Sequence, residues 1–257
     1  MFSHPNAIAL GSIMRKEISR YTRIWVQTLL PSSITMTLYF VIFGNLIGSR
    51  IGTMGGFTYM EFIVPGLIMM AVITNSYSNV ASSFFSAKFQ RSVEEMLVAP
   101  VPTIVILAGF VLGGASRGIL VGIIVTTVSM FFVDIEIHNP ALVALVVVLT
   151  SVMFATAGLV NAVFAKTFDD ISIIPTFVLT PLTYLGGVFY SISLLPEFWQ
   201  TASKGNPVLY MVNAFRYGFL GTSDIDIGVA IGLIIFFIVA LSSLAMYLLT
   251  KGIGIRS

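Results

Sequence analysis

Long apolar runs separated by short charged or glycine- and proline-rich breaks organise the chain. Residues 24–49 carry no charge and end at Arg50, with Pro31 near their start. A glycine-rich turn at 50–57 leads to a second uncharged run, Phe62 to Ala87. A charged, helix-compatible stretch from Lys88 to Glu95 follows, closed by Pro100 and Pro102. The third run, Thr103 to Val133, is interrupted by Arg117, and the acidic turn 134–136 separates it from a fourth, Pro140 to Ala165. After a polar turn at 166–170, a fifth run begins at Ile171 and contains Pro175 and Pro181; a last one covers Ile227 to Thr250.

A membrane-crossing helix takes about 20 apolar residues. Six such helices consume about half of the 257 residues and leave no room for a separate soluble domain. The stretch 186–221 cannot be one straight span. It is apolar but broken by Gly186, Gly187, Pro196, Lys204, Pro207 and Arg216, and it fits two short re-entrant or interfacial helices. The predicted fold is an all-α integral membrane protein of one domain, 1–257, with six transmembrane helices. An interfacial helix at 7–23, a loop helix at 88–100 and the re-entrant pair at 186–221 complete it.

Composition sharpens this. The chain is 57% hydrophobic and 9% charged, with a mean hydropathy of +0.99; soluble domains carry about 25% charged residues. Absence of cysteine excludes disulfides, thiolate metal sites and cysteine nucleophiles. The first 23 residues do not form a cleavable signal, because their charges follow rather than precede any short apolar core. With six spans both termini share a side with the 87–101 and 166–170 loops. Those segments hold nine of the 13 basic residues (Arg15, Lys16, Arg20, Arg23, Lys88, Arg91, Lys166, Lys251, Arg256), so both termini are assigned to the cytoplasm.

Near the N-terminus, Leu10, Met14, Ile18, Tyr21 and Trp25 form one helical stripe opposite Lys16, Arg20 and Arg23. This suits a helix in the membrane interface, apolar side in lipid. The 86–102 segment mixes charge with the apolar residues Phe89, Val93, Met96 and Leu97. A loop helix with such a stripe reads as a docking surface for a cytoplasmic protein.

Further features lie in or beside the apolar runs. Arg117 is about 22 Å into its span and must face a partner, a cavity or a headgroup. It contacts either an anionic lipid-like substrate or a carboxylate or helix-end carbonyl. Asn75, Ser78, Asn79 and Ser82 share one face of the second span, with Asn45 on the first span as a candidate neighbour. They either line a pathway or bond between helices. Gly109 with Gly113, and Gly114 with Gly118 and Gly122, form small-residue seams for packing within or between subunits. Asp169 and Asp170 cap the fifth span against its helix dipole or add a second contact to a partner. Glu61 lies near a span's outer end, within reach of headgroups.

Two segments carry a family resemblance. Arg91, Glu94 or Glu95, Met96-Leu97 and Pro100 resemble the coupling helix of ABC-2-type transporter permeases. Leu185-Gly186-Gly187 through Leu195-Pro196, then Pro207, Tyr210 and Arg216, resemble the signature those permeases carry before the last span, with Val208 a mild departure. The similarity covers essentially the whole chain. It implies a homodimeric permease bound to two copies of an ABC ATPase subunit, which bind the ATP and magnesium, so that this chain itself needs no cofactor. ATP-driven closure would push on 88–100 and open an interface between spans one, two and five.

The chain has no G-x-x-x-x-G-K-[ST] phosphate loop, and its two histidines, His4 and His138, stand apart from any catalytic or metal-ligand set. No catalytic residue, metal site or nucleic-acid partner is expected. Two rival readings are a secondary transporter or channel, which requires acidic groups within the spans, and a structural membrane scaffold. Sequence does not distinguish drug, glycolipid or phospholipid as the substrate.

Overall fold

The computed structural model describes residues 4–134 and 136–255, with the side chains of His4, Asn45 and Ser49 outside that description. The architecture is helical, apart from a two-residue antiparallel hairpin pairing Thr53 with Thr58 and Met54 with Phe57. The first helix, α1 (His4–Arg23), breaks at Ile24. The next apolar stretch runs through α2 (Trp25–Thr28), α3 (Leu30–Tyr39), a wide π-turn (Phe40–Ile47) and α4 (Gly48–Ile51). Pro31, in the first turn of α3, coincides with the break at Leu29.

The central helix, α5 (Tyr59–Phe89), is the most buried of the long helices. It begins at a capping box in which Glu61 accepts from the Thr58 amide at 2.6 Å and Thr58 Oγ1 accepts from the Glu61 amide. Glu61 is thus occupied by its own helix end. Around α5 pack α7 (Thr103–Ser129), α8 (Pro140–Phe164) and α12 (Pro207–Leu220), with α13 (Ile227–Lys251) beyond α8 and α12. Asn139, Asn206 and Asp226 each cap the helix that follows with a side-chain oxygen.

Five stretches are long and apolar enough to cross a membrane: Trp25–Gly44, Tyr59–Phe89, Thr103–Ser129, Pro140–Phe164 and Ile227–Lys251. The fifth expected span corresponds to a shorter apolar helix, Asp170–Leu185. It comprises α9 (Asp170–Ile174), a π-turn (Pro175–Leu179) and α10 (Thr180–Leu185). Pro175 and Pro181 lack amide donors, so regular i−4 bonding is lost where the π-turn lies. The 186–221 stretch resolves into a 3-10 turn (Ile192–Leu194), α11 (Glu197–Lys204) and the largely buried α12.

Glycine sets the closest approaches. A Cβ on Gly109 would lie 2.6 Å from Ile13 Cγ2 and one on Gly113 2.5 Å from Glu17 Cβ, so this seam seats α1. Gly114 and Gly118 face Val80 and Ser76 of α5 and Ala155 and Ser151 of α8. Both seams are used within one chain.

The packed face of α1 differs from the expected stripe. Its packed stripe is Ile13, Glu17 and Tyr21, which lie on α7, rather than the full stripe ending at Trp25. Trp25 lies beyond the break and is exposed. Arg20 turns inward instead of joining the solvated Lys16 and Arg23.

Candidate functional site

The loop after α5 forms two short pieces instead of one three-turn helix. Lys88 and Phe89 complete α5, and the chain reverses at Arg91, whose φ of +60° makes it the one non-glycine residue with positive φ among those described. The loop helix α6 (Ser92–Val98) follows, and Pro100 lies exposed just beyond it. The apolar stripe also faces differently from expectation. Val93 is 0% exposed, and Met96 and Leu97 pack against the same core cluster of α5, α7 and α8 residues. What remains outside is Phe89 (66% exposed), Arg91, Glu95 and Val98 (87%), with Glu94 half-buried. Helical periodicity alone does not tell which side of a stripe meets its own protein.

The structure joins this turn to the 165–170 loop. Phe168 packs edge-on to Phe85 at 4.8 Å between centroids and against Phe89 at 5.4 Å. Lys88 Nζ donates to the carbonyls of Val163 (2.6 Å) and Ala165 (2.7 Å), the open end of α8. Asp170 accepts from the amides of Lys166 and Thr167, and its own amide donates to Thr167 Oγ1. The hydrogen bond from the Lys166 amide, followed by those from Thr167, holds the Asp170 carboxyl below its ordinary value. Its carboxylate ties down the preceding turn and caps no amide of α9, and Asp169 makes no capping bond either, unlike the expected helix-capping pair. The C-terminal turn reaches the same end of the bundle, with Gly254 against Val163.

The signature residues gather on the other side of the core. Arg216 is 1% exposed, its guanidinium 3.9 Å from the Phe62 ring centroid. It donates to the carbonyls of Gly187 (2.6 Å) and Phe62 (3.3 Å). Gly187, at φ +71°, and Gly186, against Val208, allow the loop to come this close. Tyr210 closes α11 by donating to Lys204 O at 2.7 Å, Pro207 opens α12, and Pro196 precedes α11. These residues tie α12 to α5; Arg216 is a buried clamp, not an outward-facing charge.

The polar face of α5 meets two arginines. Arg117 Nη2 donates to Asn75 Oδ1 and to Thr28 O, both at 2.9 Å, the latter beside the helix break at Leu29. Asn75 in turn donates to Ser32. One turn further along α5, Asn79 accepts from Arg20 Nη2 through Oδ1 (2.8 Å) and its carbonyl (2.9 Å). Ser78 and Ser82, on the same face, line a cavity of about 540 Å³ together with Arg20, Arg117, Gln27, Thr28, Ser172 and Thr176. The side chain of Asn45 lies outside the described residues.

Behind Arg20 stands a group that sequence reasoning passed over. Glu17 is 0% exposed, accepts from Ser83 Oγ and pairs with Arg20 at 3.5 Å. The signal was available: 10-14-17-21 is as good a helical stripe as 10-14-18-21, and it would have placed a carboxylate inside. Among the described residues no group of three or more His, Cys, Asp or Glu gathers to hold a metal.

Residues 9–220 match the family model described as ABC-2 type transporter. The chain is 64% identical over 250 residues, 97% of its length and 98% of the relative's, to the inner membrane transport permease YadH of Escherichia coli K12. It is 23% identical over 229 residues, 89% and 87% of the two chains, to nodulation protein J of Rhizobium leguminosarum bv. trifolii. The chain belongs to the ABC-2 type transporter family and is a helical membrane transport component of the permease type.

Proposed function

We propose that this chain is the transmembrane subunit of an ATP-driven exporter in the bacterial inner membrane, working as a homodimer with two copies of a separate ABC ATPase subunit. Its cargo is an amphipathic, lipid-, glycolipid- or drug-like molecule. In this reading the partner binds ATP and magnesium, this chain hydrolyses nothing, and both termini face the cytoplasm.

The observation that carries the reading is the α5–α6 turn. It offers exposed Phe89, Arg91, Glu95 and Val98 at the tip of the most buried long helix. Behind that surface, Val93 and the Lys88 bonds to α8 leave little slack. A push on α6 is therefore delivered into α5 and α8 instead of being absorbed in a loose loop. Phe168 lies against Phe89, so the 165–170 loop belongs to the same contact surface.

The test is co-purification of the tagged chain from its native membrane. An ATPase subunit should follow the wild type, and replacing Glu94 and Glu95 together with Lys should abolish that association. An undiminished complex would remove the docking assignment, and labelling of introduced surface cysteines at 91–98 from the outer side would remove the topology. The rival secondary-transporter reading looks to Glu17 as a buried acid, but its bonds to Ser83 and Arg20 give it a structural employment.

A further inference from the structure

Near the break between α1 and α3, the cavity beside α5 has walls of one charge sign. Its charged lining groups are Arg20 and Arg117, with no carboxylate. Glu17 pairs with Arg20 from outside the lining, and this is the only ion pair among the described residues, which leaves Arg117 without a counter-ion. Each guanidinium is held through Nη2 alone, to Asn79 and to Asn75 and Thr28, and Nε of each is buried with no hydrogen-bond partner among the described residues. The two asparagine anchors are four residues apart on one helix, about 6 Å along its axis. A tetrahedral anion lodged between two guanidinia so spaced can accept from both. Hydroxyls of Ser78 and Thr176 add donors around the space.

We propose that this cavity binds the phosphate headgroup of an anionic amphiphile, with Arg117 as the principal charge partner and Arg20 as the second. Planar guanidinium donors match phosphate oxygens in pairs, and such charge-assisted bonds are strong where water is scarce. Neighbouring surfaces favour a lipid over a soluble anion: Ile24 and Ile171 line the cavity, while Trp25, Ile173 and Phe177 lie exposed on the flanking helices and offer an apolar path for acyl chains. This inference rests on the exporter reading and narrows its cargo, or the lipid that gates its cargo, to amphiphiles whose phosphate head carries a net negative charge.

The full-length chain, purified in neutral detergent, is incubated with equimolar phosphatidylglycerol and phosphatidylcholine, and retained lipid is read by native mass spectrometry. Wild type should retain phosphatidylglycerol in preference by tenfold or more, equivalent to about 1.4 kcal/mol. Arg117→Gln should bring the two lipids to parity. Ser78→Leu, which fills the cavity and leaves both arginine anchors in place, should do the same and serves if Arg117→Gln folds poorly. Parity in the wild type, an undiminished preference in a folded Ser78→Leu, or displacement of the lipid by equimolar inorganic phosphate would each overturn the proposal. No ATPase is present in this measurement. Loss of lipid preference with ATPase co-purification intact sinks this inference alone, and the reverse result sinks only the coupling assignment.

Discussion

The ammonium of Lys88 lies 2.6 Å from the carbonyl oxygen of Val163, and this one contact closes the end of α8 with the last turn of α5. Four carbonyls at a helix end have no partner within the helix. Here a cation from a neighbouring helix supplies donors to the carbonyls of both Val163 and Ala165. Replacing Lys88 with Met keeps much of the aliphatic stem and strands those carbonyls. The expected loss is about 2 kcal/mol, seen as an apparent Tm in detergent lower by roughly 4–8 °C.

At Arg91 the backbone sits in the left-handed region, at φ +60°. Arg91→Gly removes that strain and should leave the fold as stable as wild type or better by about 0.5–1 kcal/mol. If the guanidinium contacts the ATPase, the same variant weakens co-purification. Thermal melting and pull-down then move in opposite directions, which a purely structural Arg91 would not produce.

A Cβ at Gly118 collides with Ser76 Oγ, between α5 and α8, whereas one at Gly232 in α13 meets nothing within 4 Å. Gly118→Val should cost about 3 kcal/mol through overpacking, read as loss of monodisperse protein on size exclusion. Gly232→Ala should be neutral or stabilising by up to roughly 1 kcal/mol. Equal behaviour of the two variants would contradict the seam described here.

Arg216→Lys exchanges a planar fork for a point charge at a site that uses the fork on Gly187 O and Phe62 O and its face on the Phe62 ring. The expected destabilisation is about 2–3 kcal/mol, with protease cleavage appearing in the 186–196 loop that Arg216 pins. Wild-type protease resistance in this variant would show that Arg216 does not hold the loop.

Much of this was legible from the chain, because lipid leaves few choices: apolar run length and proline position located the long helices. The 170–185 helix is the instructive exception. Its apolar character was plain, but two prolines within twelve residues left it shorter than a standard span. Residue types on α5 pointed to a polar face, and that face does hold both cavity arginines through Asn75 and Asn79. What sequence could not supply was direction. Val93 and Met96 look alike whether they await a partner or are already packed, and Glu17 beside Ile18 is inside or outside depending on a rotation of one residue step. Lys88 and Phe168 escaped notice because their roles lie in contacts with residues about 80 positions away.

The brevity of the 170–185 helix has a consequence for the bilayer itself. Sixteen residues extend about 24 Å, some 6 Å less than a typical hydrocarbon layer. A helix of that length bridges the layer only where the leaflets pinch together, a local hydrophobic mismatch relieved by thinning. Ile171, Ser172, Pro175 and Thr176 of this same helix form one wall of the arginine-bearing hollow. Membrane indentation there would bring the plane of polar heads down to meet the guanidinia, sparing a lipid much of the descent.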